Sequence, residues 1–321
     1  MGHTLVRKHS DGAKFCTALG TCTITYHWKK RCLKACHSST FLQDTSMTTT
    51  VHPQTTRVAI AGLGAIGQSL ASSLAAGAVP GVELVAVSAK RHDKAQAFVK
   101  TLAKQVPVLP IEQLEPLADV VIECAPAALL SDIVTPFLRA GKKAIILSVG
   151  ALLFNDHLRE VAAQHGGTII VPTGALLGLD AVIAAAEGTI HSVRMVTRKP
   201  PQGLKGAPHL EQHNIVVDGL TEPLKVFEGN ARDAAKGFPA NLNVVVALAL
   251  AGVGPEKTTL EIWADPTVTR NTHTVHVDSD SARLTMTIEN IPSENPKTGR
   301  IVARSIVALL RKMGASLRVG T

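Results

Sequence analysis

Gly62-Leu63-Gly64-Ala65-Ile66-Gly67 has the spacing Gly-x-Gly-x-x-Gly. Between a strand and a helix, such a loop binds the pyrophosphate of a dinucleotide. The first glycine permits a tight turn, the second lets the backbone approach the phosphates, and the third allows close packing of helix on strand. The helix N-terminus then offers unpaired N–H groups to the anion. About twenty residues on, the run Val87-Ser88-Ala89-Lys90-Arg91-His92 has no carboxylate before Asp93. A ribose 2′-hydroxyl is usually held by an acid at this point. A small hydroxyl followed by Lys90 and Arg91 suits a 2′-phosphate instead, so NADP is preferred over NAD, or both are used. The competing reading is that Lys90 and Arg91 form a solvated loop.

Other residue types that could do chemistry are less marked. His273 is one of thirteen histidines, and Asn271-Thr272-His273-Thr274 flanks a predicted strand start, where a side chain can face a cleft. Strand alternation puts His276 on the opposite face. Asn241 and Asn243 stand two apart beside a predicted helix N-terminus, where one could cap the helix and the other face a ligand. Cys32, Cys36 and His37 are metal ligands by type, but no matching second pair accompanies them, so no metal is expected. Cys124 ends an apolar run and reads as a small core residue.

The elements that would position these groups alternate. Strands are predicted at 57–62, 82–88, 119–124, 144–148 and 168–171, with helices near 68–77, 92–102, 129–140 and 156–165 between them. That order means βαβ units and a buried parallel sheet. After Pro172 the texture changes. Strand-like runs at 192–197, 224–228, 259–264, 273–277 and 283–289 surround helices at 179–186 and 243–251, as in a mixed α/β layer with antiparallel pairing. Residues 300–312 form an amphipathic helix, with Ile301, Ile306, Val307 and Leu310 read as one face.

The 321 residues are 45% hydrophobic and 18% charged, enough for a sizeable core and unlike a disordered chain. No apolar run is long enough to span a bilayer, so no membrane partner is expected. Aromatics are only 3%, which counts against base stacking. Residues 1–50 hold seven basic and two acidic residues, hence +5 of the net +8, together with four of the five cysteines. The body is thus nearly balanced, and nucleic acid is not an expected partner. A body with a single cysteine fits a reducing, cytoplasmic compartment. Residues 1–50 lack sustained periodicity. They read as a disordered tail or gene-model artefact with Met47 as the start, or as a transit peptide that would make the protein mitochondrial.

Beyond the glycine loop, motifs run in order through the chain: Ser148-Val149-Gly150-Ala151, Thr173-Gly174-Ala175, Gly178-Leu179-Asp180-Ala181, Thr197-Arg198-Lys199-Pro200, Phe227-Glu228-Gly229-Asn230-Ala231-Arg232, Phe238-Pro239-Ala240-Asn241-Leu242-Asn243-Val244, Ala264-Asp265-Pro266, Asn271-Thr272-His273 and Asn295-Pro296-Lys297-Thr298. Together they resemble the L-aspartate dehydrogenase family from about residue 56 to the C-terminus. The resemblance implies a doubly wound Rossmann sheet, here 56–173 plus 292–321, and a mixed α/β catalytic and dimerisation domain, here 174–291. Residues 1–55 form an extension, and the last helix returns to the first domain.

The resemblance also implies a homodimer that interconverts L-aspartate with oxaloacetate and ammonia through iminosuccinate, using NADP or NAD. His273 falls on the catalytic histidine, a proton shuttle whose unshifted pKa would suit neutral pH. Ala175 and Asn243 fall on the nicotinamide side. Gly62, Gly64, Ala65, Ile66, Gly67, Ser88, Lys90, Arg91, Cys124 and Ala125 complete the expected cofactor contacts. A dicarboxylate requires cations, for which Arg198, Lys199 and Lys297 are candidates, with Asn241 beside them. Lys297 could equally belong to a cap of the last helix. Two other functions fit the same residues: a related NADP-dependent amino- or oxo-acid oxidoreductase, and a nucleotide-binding sensor without turnover.

Overall fold

The computed structural model describes residues 55–239, 242–292 and 299–320. The first part of the chain runs β1 (Thr56–Ala61), α1 (Ala65–Ala75), β2 (Val82–Ser88), α2 (His92–Val99), β3 (Val120–Glu123), α3 (Leu130–Arg139), β4 (Lys143–Ile146), α4 (His157–His165) and β5 (Thr168–Ile170). The strands form one parallel sheet in the order β2-β1-β3-β4-β5. The order reverses beside β1, and ligands of open α/β sheets bind outside the strand ends at such a switch. Val58 to Ala61 and Val120 to Ile122 are all buried, because helices cover both faces of the sheet.

After β5 the chain enters a second layer: α5 (Leu179–Ala186), β6 (Ile190–Lys199), α6 (Pro208–Gln212), β7 (Leu224–Asn230), α7 (Ala231–Gly237), α8 (Asn243–Ala251), β8 (Thr258–Ala264), β9 (Asn271–Ser279) and β10 (Arg283–Asn290). The sheet order is β10-β9-β6-β8-β7, with β6 and β8 parallel and the other pairs antiparallel. In β6 burial alternates, so Val193, Met195, Thr197 and Lys199 face inward. His273, Val275 and Val277 do the same in β9. A hydrophobic core joins this inner face to one side of the parallel sheet, through Phe137, Leu152, Val182, Val245 and Leu248 among others.

The last helix, α9 (Ile301–Gly314), packs against α1 in the core on the other side of the parallel sheet. Its buried residues are Ala303, Ile306 and Leu310. Ile301 does not share that face and is 41% exposed. At 3.6 residues per turn it sits about 140° around the helix from Ile306. Two short helices were not foreseen, α6 and α7. The latter follows β7 without a loop, and the side-chain oxygen of its cap residue, Asn230, accepts from Asp233 N at 2.8 Å. Among the described residues, no helix is long and apolar enough to cross a membrane.

Candidate active site

The glycine loop closes the turn from β1 to α1. Gly62 has φ +105°, and its N–H donates to the Ser88 carbonyl at 2.8 Å. A Cβ on Gly62 would meet the Cys124 carbonyl oxygen at 2.4 Å, and one on Gly67 would meet the Gly62 carbonyl at 2.0 Å. At Gly64 no described residue beyond its own chain neighbours lies within 4 Å of where a Cβ would be. The first and third glycines are therefore required by packing, whereas the second faces open space at the N-terminus of α1. That is where a pyrophosphate needs access and where the first-turn N–H groups lack helical partners.

A groove of about 690 Å³ runs from this loop past the end of β2. Ser88, Lys90, Arg91 and Lys94 line it, and among the described residues no carboxylate does. Cys124 and Ala125, just beyond β3, line both this groove and a second cleft of about 220 Å³ between the parallel sheet and the inner face of the mixed sheet. Ile66, Ala175, Asn243, Lys199 and His273 line the second cleft. The two cavities share Cys124 and Ala125, so most of the expected cofactor and catalytic positions lie along their joined walls, while Ala65 and Gly67 line neither. The Cys124 thiol is pushed well above its ordinary pKa by burial and then by the neighbouring Glu123 carboxylate, so it is a packing residue rather than a nucleophile.

Two polar side chains brace the segments that carry the cleft. The Glu123 side chain, fully buried at the end of β3, accepts from Ala125 N at 2.9 Å, Ser148 N at 2.9 Å and Ser148 Oγ at 3.0 Å. Burial raises its pKa, opposed by those same hydrogen bonds. This carboxyl ties the segments after β3 and β4 together. Asn243, first residue of α8, accepts from Gly150 N at 3.0 Å and so pins that helix to the parallel sheet. The cap position of α8 is Leu242, without a side-chain cap bond. Asn241 and Lys297 lie outside the described residues, as do Cys32, Cys36 and His37. Among the described residues there is no cluster of three His, Cys, Asp or Glu fit for a metal.

His273 is 3% exposed, and its Nδ1 lies 3.1 Å from Thr197 Oγ1 on the neighbouring strand. Lys199 is 4% exposed and stands two residues further along β6, on the same face. Burial, with the Lys199 charge second, pushes the pKa of His273 down to about 3. This corrects the expectation of an unshifted imidazole: at neutral pH the ring is neutral. His276 lies on the opposite face, as strand alternation required, with Nδ1 3.2 Å from Thr285 Oγ1.

The structure does not bring Arg198 into the cleft. It pairs with Thr272 in the ladder, one residue out of phase with His273 and Lys199, and so projects from the other face. There its guanidinium donates to Asp265 Oδ2 at 2.9 Å and lies 4.8 Å from the Trp263 ring. Sequence reasoning also passed over residues that the cleft contains. Asn271 lines it and Thr197 stands behind it against His273, and both lie inside quoted motifs without a role. Asn290 had a readable signal, because Leu284, Met286 and Ile288 alternate inward along β10 and the next inward position is an asparagine.

Two family models match the chain. Residues 62–172 match the NAD binding domain of homoserine dehydrogenase, and residues 180–313 match the C-terminal domain of aspartate dehydrogenase. L-aspartate dehydrogenase 3 of Bordetella bronchiseptica is 61% identical over 264 residues, spanning 82% of this chain and 97% of that protein. L-aspartate dehydrogenase of Bradyrhizobium diazoefficiens is 61% identical over 265 residues, spanning 83% and 94%. Among solved structures, aspartate dehydrogenase from Thermotoga maritima is similar with a TM-score of 0.63 and 25% identity, over 83% of this chain and 99% of that one.

Proposed function

This chain belongs to the L-aspartate dehydrogenase family of NAD(P)-dependent oxidoreductases, and we propose that its two-part groove performs the reversible oxidative deamination of L-aspartate to oxaloacetate and ammonia through iminosuccinate. One observation carries the site assignment. Buried His273 and Lys199 share a sheet face in a cleft that continues, past Cys124 and Ala125, into the glycine-loop groove.

The open space at Gly64 and the free N–H groups at the start of α1 fit a dinucleotide. Gly62, Gly64, Ala65, Ile66 and Gly67 would hold its pyrophosphate. Ser88, Lys90 and Arg91, with Lys94, would hold a ribose 2′-phosphate, which supports a preference for NADP. Cys124 and Ala125 would flank its middle, and Ala175 and Asn243 its nicotinamide end. When bound, the nicotinamide supplies the two-electron acceptor or donor for hydride exchange at the substrate Cα.

The chain's own residues do the rest. Lys199 attracts a substrate carboxylate by charge. His273 moves the proton. Its Nδ1 partner is a hydroxyl, which can donate or accept. Either tautomer of the ring is thereby supported, so Nε2 can take a proton during deamination and give one during amination. A bound dicarboxylate brings negative charge towards the ring and raises its pKa from about 3, which couples proton acceptance to substrate binding. The family resemblance supports a homodimer, and the single cysteine of the body a cytoplasmic site of action.

The test is cofactor oxidation by the purified protein with oxaloacetate and ammonium, NADPH and NADH being run in parallel. Ammonium-dependent loss of absorbance is expected, faster with NADPH. Loss that ignores ammonium would replace this reading with a plain oxo-acid reductase.

A further inference from the structure

The cleft contains a buried acceptor that the reading above does not use. Asn290, the last residue of β10, is 3% exposed. Its Nδ2 donates to the Ala175 carbonyl at 3.0 Å. Only the NH2 end of an amide can donate to a carbonyl, so this bond fixes which way the amide points. Oδ1 then has no hydrogen-bond partner among the described residues, although it is fully buried. A buried acceptor without a partner costs about 1–3 kcal/mol. The site keeps it nonetheless, at a position that lines the catalytic cleft.

The ladder shows what surrounds this oxygen. Asn290 pairs with Asn271, and Ile288 pairs with His273, so Asn290 and His273 are diagonal neighbours on one sheet face. On the other side of β9, Thr197 pairs with His273, which places Lys199 next to the Asn271 row. One row thus offers a cation and a neutral acceptor, and the adjacent row offers the imidazole. Gly299 also passes close by: a Cβ there would stand 3.1 Å from Oδ1, so a side chain at that position would crowd the amide.

We propose that Asn290 Oδ1 receives an N–H of the reacting nitrogen, that of the amino group of the amino acid and of ammonia entering in the reverse direction. The inference rests on the aspartate dehydrogenase reading and deepens it. An amino acid presents two kinds of polar group, carboxylates that need donors and an ammonium that needs acceptors. Lys199 answers the first. Among the described residues no Asp or Glu lines the cleft, so none of their carboxylates answers the second. His273 must exchange protons and is not a fixed acceptor. The amide is fixed at one end by Ala175 and can hold the nitrogen beside the imidazole. Being neutral, it also adds no charge that would repel the substrate carboxylates.

The rival use of the same oxygen is the carboxamide NH2 of the nicotinamide, and the two are separable. Asn290→Leu keeps the branched shape and removes both polar ends, whereas Asn290→Ser is smaller and retains a hydroxyl. In steady-state amination with NADPH, the KM for ammonium is expected to rise tenfold or more in Asn290→Leu and less in Asn290→Ser. The KM for oxaloacetate should change less, and the Kd for NADPH, read by fluorescence titration, should stay within about twofold. A tenfold change corresponds to about 1.4 kcal/mol, near the upper end of the range for one ordinary hydrogen bond. An unchanged KM for ammonium in either folded variant overturns the proposal. So does a weakened NADPH Kd without a change in that KM, which would assign the oxygen to the nicotinamide. Failure of the underlying reading would show instead as wild-type protein without ammonium-dependent turnover.

Discussion

His273 shows how far a residue's surroundings can move it from its ordinary chemistry. A free imidazole titrates near pH 6.5, but here burial and then the Lys199 charge hold the pKa at about 3. Between these values the unfolded chain binds a proton that the native chain does not. Stability therefore falls as pH drops from about 6.5 towards 3 and is unaffected by this group above 6.5. By about pH 5 the cost is roughly 2 kcal/mol from this residue. Urea titrations at pH 7.5 and 5 should show the loss in the wild type and a smaller one in His273→Asn. In catalysis the same variant should lose about 10²- to 10⁴-fold in kcat if the ring moves the proton. The acid limb of kcat/KM reports the free enzyme, so it should lie well below pH 6.5. A limb at 6.5 that disappears in His273→Asn would contradict the buried, neutral ring.

The glycine loop and the strands raise a different question, how an element makes room for its ligand. Gly64 and Gly67 are the same residue type three positions apart, yet the structure asks different things of them. A Cβ at Gly67 would overlap the Gly62 carbonyl, a backbone atom, whereas one at Gly64 meets nothing within 4 Å. Gly67→Ala should therefore lower the melting temperature and weaken NADPH together. Gly64→Ala should leave the melting temperature of the free protein within a degree or two while raising the NADPH Kd at least tenfold. Equal melting losses in both would mean that the loop geometry, not access for phosphate, sets the requirement.

This loop was legible in the sequence because its spacing is local and its context, strand then helix, lies within thirty residues. Val82–Ser88, Leu179–Ala186 and Asn243–Ala251 were likewise placed with the same bounds as in the structure. Arg198 and Lys199 could not be separated by type, since both are cations in one motif. Only the parity of β6 against β9 sends one into the cleft and the other to Asp265 and Trp263. Asn290 and Glu123 were missed for a related reason. Each is the polar end of a strand whose other inward positions are apolar, and what they contact comes from segments distant in the chain, Ala175 for one and Ser148 for the other.

Across the whole molecule, charge is distributed in a way the net value conceals. Of the formal +8, the first fifty residues account for +5. The described body is nearly balanced, yet Lys90, Arg91 and Lys94 all line the outer part of the groove, and no carboxylate is among the described residues that line it. Exposed charges act over about 8–10 Å at physiological ionic strength, so this cluster influences its own end of the groove and little of the catalytic cleft. NADPH and NADH differ only in the 2′-phosphate, which makes them a direct probe of that division. Replacing Lys90, Arg91 and Lys94 by serine should lower kcat/KM for NADPH by about 10- to 100-fold, in line with the loss of one or two hydrogen bonds between charged groups. With NADH, kcat/KM should stay within about threefold, because the glycine loop and the cleft are untouched. Raising the salt concentration should erode the wild-type preference for NADPH in the same direction and leave the triple variant flat. If the variant lost both cofactors equally, the cations would be serving the pyrophosphate or the fold, and the preference would have to arise from the buried Ser88 at the end of β2.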